Sequence, residues 1–261
     1  MKKIYYKKGE LAYYTFGKGA PIVLIHGYCE DSFIFFHLVK NLHKNYRIIL
    51  IDLPGFGEST CTTEKTDMLF YAGSIEAVLK AEKIEKAILG GHSMGGYILL
   101  HLLEKNAAVF NALVLINSHC FEDSEEKKAN RKKSIEFIKK NGTSLFLKEF
   151  YRNLFPQNFT DRKIINTLFE RGKNIPAAVV IQAAEAMIAR KDKSKVLATC
   201  GIPILQFSGG NDSAITKEIS LKMATIPPSN HLQYDAQKGH MSFYELKNFA
   251  AIFQQFCEKI I

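Results

Sequence analysis

The chain has 261 residues and an apolar fraction of 47%, which suits one large domain or one domain carrying a sizeable insertion and excludes the disordered and collagen-like classes. No apolar run approaches the length of a membrane span, and the residues after Met1-Lys2-Lys3 interrupt any signal-peptide core almost at once, so the expected address is the cytoplasm. The formal net charge of +9 reads as a solvated basic surface: the densest basic run, 127–133, follows the acidic 122–126, and mixed signs at this density describe an exposed helix, with no nucleic-acid partner expected.

In chain order, residues 3–8 and 11–17 are β-rich runs split by Gly9-Glu10, the pattern of an opening hairpin. Residues 21–26 (PIVLIH) form a short continuous apolar run, the mark of a strand buried on both faces. A helical stretch over 33–45 leads to a second buried strand, 46–53. Helical spacing over 66–81 leads to a third at 86–90, and a helix over 95–105 to a fourth at 112–118. This alternation predicts a parallel sheet with helices on both faces. It then stops. From 119 to about 187 only helical segments occur, at 133–140, 144–154, 161–172 and 177–188. Strands at 202–208 and 231–235 resume the rhythm, with helices over 216–224 and 242–260. No internal repeat is visible.

Between the third buried strand and its helix lies Gly90-Gly91-His92-Ser93-Met94-Gly95-Gly96, which contains G-x-S-x-G at Gly91, Ser93 and Gly95. A nucleophile on so tight a strand-to-helix turn stands clear of the sheet, and glycine two positions either side avoids collision with neighbouring backbone. The helix that starts there aims free N–H groups at developing negative charge. Ser93 is therefore the candidate nucleophile.

A serine hydroxyl needs a base, and the base needs an orienting acid. Of eight histidines, His240 lies just past the last strand and before the C-terminal helix, and it is selected as the base. His37, His43 and His101 fall within helical stretches, His231 starts a strand, His119 opens the strandless region, and His92 should point away from the site. Asp212 follows the strand over 202–208, at the carboxyl end where open α/β sheets gather functional groups; its competing role is to cap the helix after it. Asp123 is a rival acid that lies several residues into the strandless region. The chain order Ser93, Asp212, His240 is the one this architecture uses.

Acyl transfer also needs two preplaced donors for the oxyanion. The Met94 amide, at the helix start, supplies one. The loop after the first buried strand, His26-Gly27-Tyr28-Cys29-Glu30, supplies the other through the Tyr28 amide, with Gly27 permitting the reversal and His26 bracing it. Cys29 has no partnered base in sequence and reads as structural. Gly55-Phe56-Gly57-Glu58-Ser59 lacks both the lysine of a nucleotide loop and the third glycine of a dinucleotide fingerprint, so it reads as a turn. The five cysteines are scattered without metal-type spacing, which fits reduced thiols, and no metal site is expected.

Taken together, HGY at 26–28, DLPGFGES at 52–59, GHSMGG at 91–96, PILQFSGGND at 203–212 and KGHMS at 238–242 resemble the α/β-hydrolase superfamily over essentially the whole chain. The resemblance implies an α/β-hydrolase fold: a mostly parallel eight-stranded sheet flanked by helices, with a helical cap inserted after the sixth strand. The implied division is a core of 1–118 and 189–261 and a cap of 119–188. The chain is similar to the small cofactor-free serine carboxylesterase and C–C-bond hydrolase subgroup, and serine at 93 departs from the dehalogenase and epoxide-hydrolase branches, which place aspartate there. The implied activity is cleavage of a small or medium carboxylic ester, without cofactor. C–C-bond hydrolysis, thioester hydrolysis and a non-catalytic ligand-binding role are the alternatives. The expected partner is a small-molecule ester or related carbonyl compound, with no nucleic acid and no membrane, on a monomer or homodimer. The cap carries 13 Lys and Arg against 9 Asp and Glu over 119–189, a balance compatible with an anionic substrate.

Overall fold

The computed structural model describes residues 1–61 and 65–261. Among the described residues eight strands form one sheet: β1 (Lys2–Tyr6), β2 (Gly9–Phe16), β3 (Ala20–Ile25), β4 (Tyr46–Ile51), β5 (Ala87–His92), β6 (Phe110–Ile116), β7 (Ile204–Gly209) and β8 (Asn230–Asp235). Their spatial order is β1-β2-β4-β3-β5-β6-β7-β8, and only β2 runs against both its neighbours. The central strands are the continuous apolar runs. Ile22 pairs with Ile48 on one side and Ile88 on the other, all three fully buried, because helices cover both faces of a parallel sheet.

The connecting helices are α1 (Phe36–Leu42), α2 (Met68–Ala81) and α3 (Met94–Lys105). Right-handed crossovers send α1 to one face of the sheet and α2 and α3 to the other. Contacts agree with this, since α1 packs with the C-terminal helix α11 (Phe249–Ile260), and α2 packs with α3. The connections after the adjacent strands β3 and β5 therefore diverge, which opens a crevice at their carboxyl ends. That crevice receives the loop 26–31 and the turn at Ser93.

Between β6 and β7 lie α4 (Glu125–Asn141), α5 (Thr143–Asn153), α6 (Arg162–Gly172), α7 (Ala177–Ala189) and α8 (Ser194–Thr199). The first four pack on one another as a helical insertion, while α8 packs on α3 of the core. Two of these helices differ from the sequence reading. Helix α4 begins at Glu125 rather than 133. Only Ile135 and Ile138 of it are buried, so apolar spacing marks its second half alone. Its start is set by the Ser124 cap, with Glu125 and Glu126 in the first turn and lysines in the last. Helix α8 was not foreseen, since Leu197 is its one buried residue and leaves no periodicity to read.

The last strands are followed by α9 (Lys217–Ala224) and, after β8, by α10 (Ser242–Glu245) and α11. The single helix expected over 242–260 is broken because Leu246 leaves helical geometry (φ −83°, ψ 108°). Turning the chain there lets Phe243 pack beside His92 at 5.0 Å while Phe249 packs on Phe207 at 4.2 Å. No helix among the described residues is long and apolar enough to cross a membrane.

Candidate active site

Strand β5 runs straight into Ser93, which adopts φ 48°, ψ −114°, a left-handed conformation costly for a residue with a side chain. Its N–H donates to the Ile116 carbonyl at 2.9 Å, pinning the turn to β6. The glycines around it are required by space. A Cβ on Gly91 would lie 2.4 Å from the Gly95 carbonyl carbon, and one on Gly95 would lie 2.4 Å from the Ile25 carbonyl oxygen. Met94 is the first residue of α3, so its N–H belongs to the first turn, which has no intrahelical acceptor.

Asp212 follows the carboxyl end of β7 and His240 the carboxyl end of β8, its parallel neighbour. His240 Nδ1 donates to Asp212 Oδ2 at 2.8 Å, with both side chains almost fully buried, which leaves Nε2 as the free ring nitrogen. The same Oδ2 accepts from Asn117 Nδ2 at 2.9 Å, while Oδ1 accepts the Ala214 and Ile215 amides at 2.8 and 3.0 Å. Asp212 thus shapes its own loop with one oxygen and orients His240 with the other. The helix α9 after it is capped instead by Thr216. Burial alone would raise the Asp212 carboxyl; the charge and hydrogen bond of His240, with the bond from Asn117, hold it below the usual carboxylate range.

The loop after β3 is built around the Glu30 carboxylate. Glu30 Oε2 accepts the Gly27 N–H at 2.6 Å and meets His92 Nδ1 at 2.8 Å. His92 Nε2 donates to the His240 carbonyl at 3.0 Å, so both ring nitrogens act as donors and the ring is an imidazolium. Burial opposes charge on each partner, but mutual attraction prevails, holding Glu30 below and His92 above their ordinary values. His26 donates from Nδ1 to the Gly27 carbonyl at 2.8 Å and accepts the Leu53 N–H at Nε2 at 2.9 Å. Tyr28 is buried, and its hydroxyl donates to the Val180 carbonyl of α7 at 3.0 Å. Next door, Asp52 fills the glycine turn at 55–59. Its Oδ1 takes the Ser32 amide and its Oδ2 the Glu58 amide, at 2.8 and 2.9 Å.

Both oxygens of Asp123 are taken by guanidinium groups, Arg131 at 2.7 Å and Arg190 at 2.8 Å. Cys29 is fully buried at φ 60°, and burial pushes its thiol well above the ordinary value, which disables it as a nucleophile. Among the described residues no group of three His, Cys, Asp or Glu side chains could hold a metal ion. Asn117, Glu30 and His92 were not singled out as site residues from sequence. Asn117 does carry a local oddity, φ 44° at the end of β6, but its partners are remote: Asp212, Gly239 and Ser242.

The family described as alpha/beta hydrolase fold matches the chain over residues 20–246. The chain is 29% identical over 157 residues to 1-acylglycerol-3-phosphate O-acyltransferase of Arabidopsis thaliana, a match covering 58% of this chain and only 36% of that protein. It is 26% identical over 211 residues to the pimeloyl-[acyl-carrier protein] methyl ester esterase of Aeromonas hydrophila, covering 77% of this chain and 81% of that one. Among solved structures, a thermophilic esterase from Thermogutta terrifontis superposes with a TM-score of 0.90 at 25% identity, covering 97% of this chain and 94% of that one.

Proposed function

Because the chain belongs to the alpha/beta hydrolase fold family, we propose that it is a serine hydrolase that cleaves a small or medium carboxylic ester through an acyl-enzyme on Ser93. The observation that supports this reading is the buried Asp212–His240 pair at 2.8 Å, with the His240 ring 4.9 Å from that of His92, the residue before Ser93. His240 Nε2 takes the Ser93 proton as Oγ attacks the ester carbonyl carbon, and the carbonyl electron pair moves onto oxygen. The Tyr28 and Met94 amides hold that oxyanion, a contribution that mutagenesis elsewhere values at about 3 kcal/mol per donor. Collapse expels the alcohol, which takes the proton back from His240, and water then repeats the sequence on the acyl-enzyme. No step requires a cofactor.

The insertion over 119–188 acts in this reading as a cap on the crevice. The esterase relatives favour an oxygen ester over a C–C bond or thioester as the bond cleaved, and the five scattered cysteines support a reducing, cytoplasmic setting. A substrate panel tests it: kcat/KM for short-chain aryl and methyl esters should exceed that for a matched acyl thioester and a dienoic diketo acid, and Ser93→Ala should abolish all turnover. Preference for the C–C substrate would replace the ester reading.

A further inference from the structure

One helical turn of the insertion is bonded to both of the loops that the proposed chemistry depends on. At the end of α5, the Tyr151 hydroxyl donates to the Cys29 carbonyl. Three residues on, the Leu154 carbonyl accepts from the backbone N–H groups of both His240 and Met241, at 2.9 and 3.2 Å. Cys29 follows Tyr28 in the loop after β3 and holds φ 60°, a conformation that a residue with a side chain keeps only when its surroundings impose it. The His240 peptide is gripped from both sides: its N–H by Leu154 of the insertion and its C=O by His92 of the core, at 2.9 and 3.0 Å.

Packing around this turn is tight. Tyr151 is 1% exposed, and its ring fits only because residue 172, at the end of α6, is glycine. A Cβ there would lie 1.9 Å from the Tyr151 hydroxyl oxygen. Gly239, just before His240, is likewise pressed against the insertion, where a Cβ would lie 2.7 Å from Pro156 Cδ and 3.0 Å from the Leu154 carbonyl oxygen. An insertion that merely covered a crevice would need neither fit.

We propose that Tyr151 is a positioning residue, which with the Leu154 carbonyl makes the end of α5 a spacer setting the oxyanion donor of the loop after β3 at its working distance from His240. This rests on the reading of Ser93, His240 and the Tyr28 amide given above. The spacer acts on the transition state, since the oxyanion forms only there, and it leaves ground-state affinity to the rest of the crevice.

The test compares wild type, Ser93→Ala, Tyr151→Phe and Gly172→Ala on one activated aryl ester, with active sites titrated by a fluorophosphonate and melting recorded for each. An aryl trifluoromethyl ketone serves as the transition-state analogue. Tyr151→Phe should lower kcat per titrated site about tenfold, a fraction of the loss from deleting an oxyanion donor outright. KM should stay within about twofold, while affinity for the ketone falls in parallel with kcat. Gly172→Ala, which displaces the hydroxyl while keeping it, should shift the same parameters in the same direction. Unchanged kcat per titrated site in both folded variants overturns the spacer, as does a loss carried by KM alone. Turnover surviving in Ser93→Ala instead overturns the underlying reaction, so the two failures are told apart.

Discussion

Replacing Glu30 by Gln keeps shape and volume but removes the anion from a pair whose side chains are at most 1% exposed. In the wild type one oxygen, Oε2, serves both the Gly27 N–H and the His92 ring. A Gln oxygen in the same place can still accept from both donors, but it is neutral and leaves a buried imidazolium without a counter-charge. Removing the charge from one partner of a buried ion pair costs about 3–5 kcal/mol, and the hydrogen bonding that Gln retains returns about 1. A net loss of about 3 kcal/mol corresponds to a drop in Tm of about 10 °C for a chain of this size. The pH dependence has a definite sign. Glu30 is depressed, so its contribution is present at neutral pH and lost as acid protonates it; His92 is raised, so its contribution is lost as pH rises through its folded-state value. The wild-type advantage should therefore be largest in mildly acidic solution, above the unfolded value of Glu and below that of His, and shrink on both sides. Thermal unfolding of both proteins from pH 5 to 9 measures it, and a difference in Tm below about 2 °C throughout would refute the ion-pair assignment.

Three further outcomes follow from the same geometry. Asn117→Ala removes a bond to the Asp212 oxygen that orients His240; kcat for an aryl ester should fall about tenfold with KM little changed, and an unaltered kcat would show that Asp212 needs no such help. Gly95→Ala places a methyl 2.4 Å from the Ile25 carbonyl oxygen, and chemical denaturation should show a loss of about 3 kcal/mol or no folded protein, against near-neutrality if the turn can relax. Burial would raise Asp123, yet the hydrogen bonds and charges of Arg190 and Arg131 bring it down to about 2. Its share of stability, about 2 kcal/mol, is present above its unfolded value and lost as pH falls toward 2. Urea unfolding at pH 4.5 and 2.5 should show an acid-dependent loss larger in wild type than in Asp123→Asn by about 1.5 kcal/mol, and equal losses would refute the assignment.

The central strands were legible because burial on both faces leaves an uninterrupted apolar run, as in residues 21–26 and 112–116. The turn at Ser93 was legible because crowding acts locally, so Gly91 and Gly95 are written within two positions of it. Asp212 and His240 were found by their place after strands, and they meet in the fold. What could not be read are pairings between distant segments. Glu30 meets His92 across 62 positions, Asn117 meets Asp212 across 95, and Tyr151 meets Cys29 across 122. Nothing local to either member marks such a pair. The break at Leu246 escaped for a related reason: no Pro or Gly lies within 242–260, and the bend is imposed by where Phe243 and Phe249 must pack.

Covalent capture of Ser93 tests the nucleophile assignment most directly. Intact-protein mass spectrometry after exposure to a fluorophosphonate should show one adduct per chain, located to the peptide bearing Ser93 and absent from Ser93→Ala. Labelling elsewhere, no labelling, or ester turnover undiminished in Ser93→Ala would contradict it.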